Sequence, residues 1–71
     1  MPKYYFDIHD GTNLHQKDRV GAVFADDGEA VRYAVSIAEG LRDDEGFAGF
    51  HIDVRDSERR QVGKVPVSRL H

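Results

Sequence analysis

Two stretches of this chain are written almost alike: Phe6-Asp7-Ile8-His9-Asp10-Gly11 and Ile52-Asp53-Val54-Arg55-Asp56-Ser57. Each alternates apolar with polar residues and stops at an aspartate followed by a small turn residue. That is the pattern of a half-buried β-strand entering a hairpin. Between them lies one stretch of helical period. The expected design is therefore α+β, with one hairpin on each side of a single helix.

With 71 residues the chain makes one domain, residues 1–71. A domain of this size buries only about 60% of the surface its unfolded chain exposes, which leaves a thin margin of stability. It has no cysteine, so neither a disulfide nor a thiolate metal site can add to that margin. The lack of cysteine fits a cytoplasmic protein. Oligomerisation is the remaining common route to extra burial. Met1-Pro2-Lys3-Tyr4 enters a strand pattern at once, so no apolar leader is expected. No apolar run approaches the roughly 18 residues a membrane span needs. The formal charge of −3 is spread along the chain, which argues against nucleic-acid binding through a concentrated basic face. Arg55, Arg59, Arg60 and Lys64 do crowd the last hairpin. They read first as a solvated edge that discourages strand-to-strand aggregation, and second as a surface for an acidic partner.

The first strand is expected at about Lys3 to Asp10. Tyr4, Phe6 and Ile8 share its inner face, and Tyr5, Asp7 and His9 its outer face. Asp10-Gly11 makes a turn. Thr12 to Asp18 is polar apart from Leu14, and apolar residues resume at Val20, Ala22, Val23 and Phe24. The stretch reads as a second strand, irregular or bulged, with Gly21 permitting the bend. Asp26 precedes Glu29 by three residues, the spacing of a capping box, and marks a helix start. Its dense acids, Asp26-Asp27-Gly28-Glu29, lack the ligand alternation of a calcium loop. Ala30, Ala34, Ile37, Ala38 and Leu41 form the apolar stripe, flanked by Val31 and Tyr33. The helix should end near Arg42, with Gly46 as its C-terminal stop. Phe50 to Asp56 forms the third strand, with Phe50, Ile52 and Val54 inward and His51, Asp53 and Arg55 outward. Gln61 to Val67 forms the fourth, and Pro66 consigns it to an edge. Ser68 to His71 is a short tail. The expected fold is ββαββ, a four-stranded antiparallel sheet of order 2-1-3-4 with the helix on one face. Phe6, Ile8, Ile37, Leu41, Phe50, Ile52 and Val54 should be its most buried side chains.

If strands one and three are neighbours, Tyr5, Asp7 and His9 lie beside His51, Asp53 and Arg55 on the outer face. Two imidazoles and two carboxylates on one surface can hold a divalent metal or perform acid–base work. The spacing matches no established ligand motif, and antiparallel sheets commonly present one face to solvent or to another molecule. No Gly-rich phosphate loop, His-Glu-x-x-His pair or nucleophile elbow is present in the sequence. No cofactor is expected.

Beyond its strand patterns, the chain opens Met1-Pro2-Lys3-Tyr4-Tyr5-Phe6 and runs into the Asp10-Gly11 turn. It continues with Asp18, Gly21, Phe24 and Asp26 at the spacing Asp-x-x-Gly-x-x-(apolar)-x-Asp. It then carries Phe50, Ile52, Val54 and Asp56 as an aromatic-x-Ile-x-Val-x-Asp strand. In these features it resembles short bacterial proteins, frequent in alphaproteobacteria, that are grouped only as a domain of unknown function. The resemblance implies an architecture and no activity or catalytic residue. The function expected is a small non-enzymatic binding or regulatory module acting through surface contacts with an unidentified protein partner. The alternative is a small-molecule or metal-binding domain using the outer sheet face. An RNA-binding module is disfavoured by charge and by the scarcity of exposed aromatics. A twofold homodimer is expected, through either the Tyr5 face or the helix flank of Val31 and Val35.

Overall fold

The computed structural model describes residues 2–11 and 13–67, so the expected tail, Ser68 to His71, lies outside the described residues. Strand β1 (Lys3–Asp10) is the hub of the sheet. It pairs antiparallel along nearly its whole length with β4 (Phe50–Asp56), in register from Tyr4 opposite Asp56 to Asp10 opposite Phe50. Gly11, at φ +62°, turns the chain back into β2 (Asn13–Gln16), which pairs with the far end of β1 across a bulge at Ile8/His9. After a loop, β3 (Ala22–Val23) pairs with the near end of β1 at Lys3 and Tyr4. On the other side β5 (Gln61–Pro66) pairs with β4.

The α+β class with one helix holds, and the expected four-stranded sheet of order 2-1-3-4 is corrected. The sheet has five strands, in the order β2-β1-β4-β5 with β3 beside β1. What was expected as one irregular strand is two short ones. The intervening residues, Lys17 to Gly21, are polar apart from Val20, and they leave the ladder. Pro66 does sit in an edge strand, where its missing N–H costs no ladder bond.

Helix α1 spans Asp27–Leu41, and its N-cap Asp26 accepts a hydrogen bond from the Glu29 N–H at 2.8 Å. Glu29 Oε1 reaches back to the N–H of Ala25 at 3.3 Å, one residue before the position a capping box uses. At the other end Arg42 is the C-cap. Gly46 is not the helix stop expected of it: it lies in a separate 3-10 turn, Glu45–Phe47. The left-handed glycine of this connection is Gly49, at φ +85°, which swings the chain into β4.

The core lies between α1 and the β4–β5 half of the sheet. Ala30, Ala34 and Ala38 are buried there against Tyr4, Phe50, Ile52, Val54, Val65 and Val67. Phe6, Ile8, Ile37 and Leu41 are only half-buried, contrary to the expectation that they rank with the most buried. Their inward phase is right, but α1 packs on β4 and β5 rather than on β1. The inner face of β1 is therefore covered only in part, by Phe24 and Tyr33, whose rings meet Phe6 at 5.9 and 5.2 Å.

Two outcomes follow from this packing. Ile52→Ala, at a fully buried site, should cost about 2–5 kcal/mol. Phe6→Ala should cost distinctly less than the 3–5 kcal/mol typical of a core ring, because its site is already half open. Urea midpoints would read both, and equal losses would refute the one-sided core. Asp26→Ala should lose about 0.5–2 kcal/mol, read as a lower melting temperature with helix content otherwise retained.

Candidate functional site

The β1–β4 register brings together all six residues of the outer-face candidate: Tyr5 stands opposite Arg55, Asp7 opposite Asp53 and His9 opposite His51. They do not form a single centre. Asp7 and Asp53 are buried, Asp53 to 3% exposure, and like charges directly opposite would repel. Each carboxylate is instead turned to its own donors. Asp53 accepts from Gln61 Nε2 at 2.5 Å and pairs with an Arg55 guanidinium nitrogen at 2.8 Å. Asp7 accepts the N–H of Asp18 at 2.8 Å.

The imidazoles of His9 and His51 stack nearly parallel, 3° apart in plane with centroids at 5.1 Å. His9 Nε2 lies 3.7 Å from Asp53 Oδ2, beyond hydrogen-bond reach, and it has no partner among the described residues. Burial pushes the pKa of His51 down, and nearby Lys64 and His9 push the same way against the opposing pull of Asp53. The lowered pKa favours the neutral form of His51, and its stack on His9 is a packing contact. Among the described residues, no three His, Cys, Asp or Glu side chains converge so as to hold a metal ion.

The functional-looking cavity lies at the other end of the same face. Tyr5, Asp7 and Arg55 form part of a cleft of about 470 Å³, whose remaining lining comes from Lys17, Asp18 and Arg19 and from Asp56, Ser57 and Arg59. Asp18 builds one wall. Its Oδ2 accepts the N–H of Phe6 at 3.2 Å, in the gap where β1 has lost β2 and not yet met β3. Its Oδ1 accepts the N–H groups of Val20 at 3.0 Å and Gly21 at 2.9 Å. Gly21, at φ +75°, completes the turn so close to β1 that a Cβ there would lie 2.9 Å from the Tyr4 carbonyl oxygen. The Asp-x-x-Gly spacing is thus a clamp that holds Lys17 and Arg19 over the sheet.

The opposite wall is the β4–β5 turn. Asp56 Oδ1 accepts from Glu58 N and Arg60 N, both at 2.9 Å, and its Oδ2 accepts from Arg60 Nε at 2.9 Å. Arg59 is held at φ +69°, in the left-handed region that strains any residue bearing a Cβ. Its carbonyl oxygen accepts from Arg55 at 3.0 Å.

Lys17, Asp18 and Arg19 escape a reading by strand phase because they belong to a loop; the Asp18–Gly21 spacing was their signal. Arg59 was visible only as one member of a basic cluster. The fold divides that cluster: Arg60 pairs with Asp56, Arg55 pairs with Asp53, and Arg59 lines the cleft. A second polar anchor lies on the inner side, where the buried Tyr4 hydroxyl donates to Asp27 Oδ1 at 2.6 Å. That bond, with burial, pushes the tyrosine pKa up to about 12, so the hydroxyl remains a donor throughout the physiological range.

Burial alone would raise the Asp18 carboxyl, but hydrogen bonds from Gly21, Val20 and Phe6, with Lys3 nearby, outweigh it and hold the pKa below the ordinary range. At Asp56 the leading cause is the hydrogen bond from the Arg60 backbone, which with the Arg60 side chain and Glu58 N–H overcomes burial and also lowers the pKa. A carboxylate with a lowered native pKa stabilises the fold above its unfolded value, about 3.9, and that contribution is lost as pH falls through the native value. A lowered histidine pKa works over a higher window. Below about pH 6.5 the unfolded chain takes the His51 proton first, which also erodes stability on acidification. Melting temperature should decline gently below about pH 6.5 and steeply below about pH 4. His51→Gln should remove part of the gentle limb and Asp18→Asn part of the steep one. Unchanged profiles in both variants would contradict these assignments.

Neither a curated protein nor a solved structure matches the chain. One family model does, described as Domain of unknown function (DUF6894), over residues 3–68. That span takes in every strand, the helix, the Asp18–Gly21 clamp and both walls of the cleft, and on it the chain belongs to the DUF6894 family, a domain of unknown function.

Proposed function

We propose that the domain is a non-enzymatic binding module that works as a twofold homodimer, joined through the part of the helix-side sheet face that α1 leaves uncovered. One observation carries this reading: the apolar inner face of β1 is roofed only in part by the domain's own helix, through Tyr33 and Ile37 at its margin. A groove of about 520 Å³ runs there, with Phe6, Ile8, Ala22, Tyr33 and Ile37 among its lining, beside the loop residue Val20. Val20 is 75% exposed, Val23 54% and Tyr33 45%. Single exposed apolar residues need no explanation, but Val20 and Tyr33 border one continuous groove on a domain short of core.

A second copy is the occupant this surface suits. A twofold contact sets the same patch against itself, and this patch holds both a recess, floored by Phe6 and Ile8, and a protruding rim at Val20. The expected alternatives fit less well. On the helix flank Val31 is half-buried and abuts Gly63 of β5, where a Cβ would meet its methyl at 2.7 Å. That leaves Val35, 40% exposed, as the exposed member of that pair. Tyr5 is half-buried in the polar cleft. The lack of cysteine supports work in the cytoplasm. The resemblance carried by Met1 to Gly11 supports an alphaproteobacterial origin. No helix among the described residues is long and apolar enough to cross a membrane.

Sedimentation equilibrium at micromolar concentrations should give a mass near twice the 8.0 kDa of one chain, falling toward one chain on dilution. Val20→Lys, at a site too exposed to disturb folding, should shift the equilibrium toward monomer. A concentration-independent mass near 8.0 kDa would reject the dimer, and a Val20→Lys protein that dimerises as well as the parent would reject this interface.

A further inference from the structure

We propose that the cleft on the outer sheet face is a binding site for a phosphate group, free or borne by a small ester. Four cationic side chains line it, Lys17, Arg19, Arg55 and Arg59, against three carboxylates, Asp7, Asp18 and Asp56. The cations outnumber the carboxylates four to three, and the carboxylates are largely taken up by donors of the chain. Asp7 is turned to the Asp18 N–H. Asp18 is saturated by three backbone N–H groups. Asp56 is occupied by two backbone N–H groups and the Arg60 guanidinium. Five of their six oxygens thus meet donors of the chain itself.

The cations divide differently. Arg55 is committed, one nitrogen to Asp53 at 2.8 Å and another to the Arg59 carbonyl at 3.0 Å, so it is a preset part of the floor. Lys17, Arg19 and Arg59 form no ion pair among the described residues. A phosphate dianion offers several strong acceptor oxygens and more than one charge, and it matches three separate uncommitted cations where a lone carboxylate would satisfy one. The cleft volume, about 470 Å³, falls in the usual range of small-molecule sites.

Arg59 gives a second, independent argument. Its φ of +69° is a conformation glycine adopts freely and arginine only with strain. Strain of this kind collects at binding and switch sites, and here it falls on a residue whose side chain lines the cleft with no ion-pair partner among the described residues.

The test is a titration of the full chain followed by amide chemical shifts, with inorganic phosphate, phenyl phosphate and benzoate as probes. Both phosphates should give saturable shifts at Tyr5, Arg19, Arg55 and Arg59. Tighter binding of phenyl phosphate would assign the site to an ester, and equal binding to the phosphate group alone. Benzoate should bind at least roughly tenfold more weakly. Arg59→Gly is the decisive variant, because glycine suits the turn and the protein should melt no lower than the parent. It should weaken phosphate binding roughly tenfold, and Arg19→Gln should do the same. Absence of saturable shifts, benzoate binding as tight as phosphate, or unaltered affinity in Arg59→Gly would each overturn the proposal. Arg55 and Arg59 line the cleft but not the groove, so the outcome for Arg59→Gly is distinguishable from a failure of the dimer.

Discussion

A helix whose buried stripe is alanine can hold a sheet only by coming close to it. Ala30, Ala34 and Ala38 reach no further than a Cβ, so the backbone of α1 must descend almost to the strands before their methyls meet Ile52 and Val54. Gly63 in β5 is what permits the descent: a Cβ there would stand 2.7 Å from a Val31 methyl. Valine in a helix is confined to essentially one χ1 rotamer, so it has little freedom to give way. The helix is consequently seated over β4 and β5, and the larger side chains of the sheet fill the space beneath it. Everything else on that side of the molecule follows from the offset, including the half-open ring of Phe6 and the groove along β1.

The opposite face is governed by charge rather than by apolar area. Three aspartates, Asp7, Asp53 and Asp56, are buried in a domain with little interior, and a buried carboxylate is tolerated only when its oxygens are occupied. Each of these is. Asp18, more exposed, does comparable work for the backbone, supplying to Phe6 the acceptor that a continuous neighbouring strand would have supplied. In doing so it converts an interruption of the sheet into a fixed loop. The cationic cleft is a by-product of that bookkeeping: once the acids are turned inward, Lys17, Arg19 and Arg59 are what remains to face solvent.

How much of this could be read from the residues depended on whether period or contact decided the outcome. The phases of β1 and β4, the cap at Asp26 and the edge position of Pro66 are local facts, and alternation, capping chemistry and a missing donor reveal them. The candidate set Tyr5, Asp7, His9, His51, Asp53 and Arg55 does share one face, because strand phase and pairing are enough to bring them together. What phase does not carry is which donors each group meets. His9 and His51 stack on one another, and Asp53 turns to Gln61 and Arg55. The split of the second strand, the lateral seat of α1 and the isolation of Arg59 within its basic cluster all depend on tertiary contacts. Those contacts leave only faint traces, a glycine in β5 and an aspartate three residues before another glycine.

The two surfaces are chemically distinct, yet they share a wall. Lys17, Asp18 and Arg19 line the cleft on the outer face and also the rim of the apolar groove, because the loop they belong to passes around the edge of β1 where β2 and β3 part. Its path is set by four hydrogen bonds centred on Asp18, three accepted by its carboxylate and one donated by its N–H to Asp7. A ligand that drew Lys17 and Arg19 toward the cleft would act on the same backbone that carries Val20 at the proposed dimer face. Coupling of this kind is reciprocal by thermodynamic necessity: whatever factor ligand binding applies to dimerisation, dimerisation applies to ligand binding. The Asp18 clamp limits its size, since a loop with only one accessible arrangement transmits nothing, and coupling requires two arrangements that the two partners favour unequally. The loop between β2 and β3 is therefore the place where this small domain's two faces can inform each other.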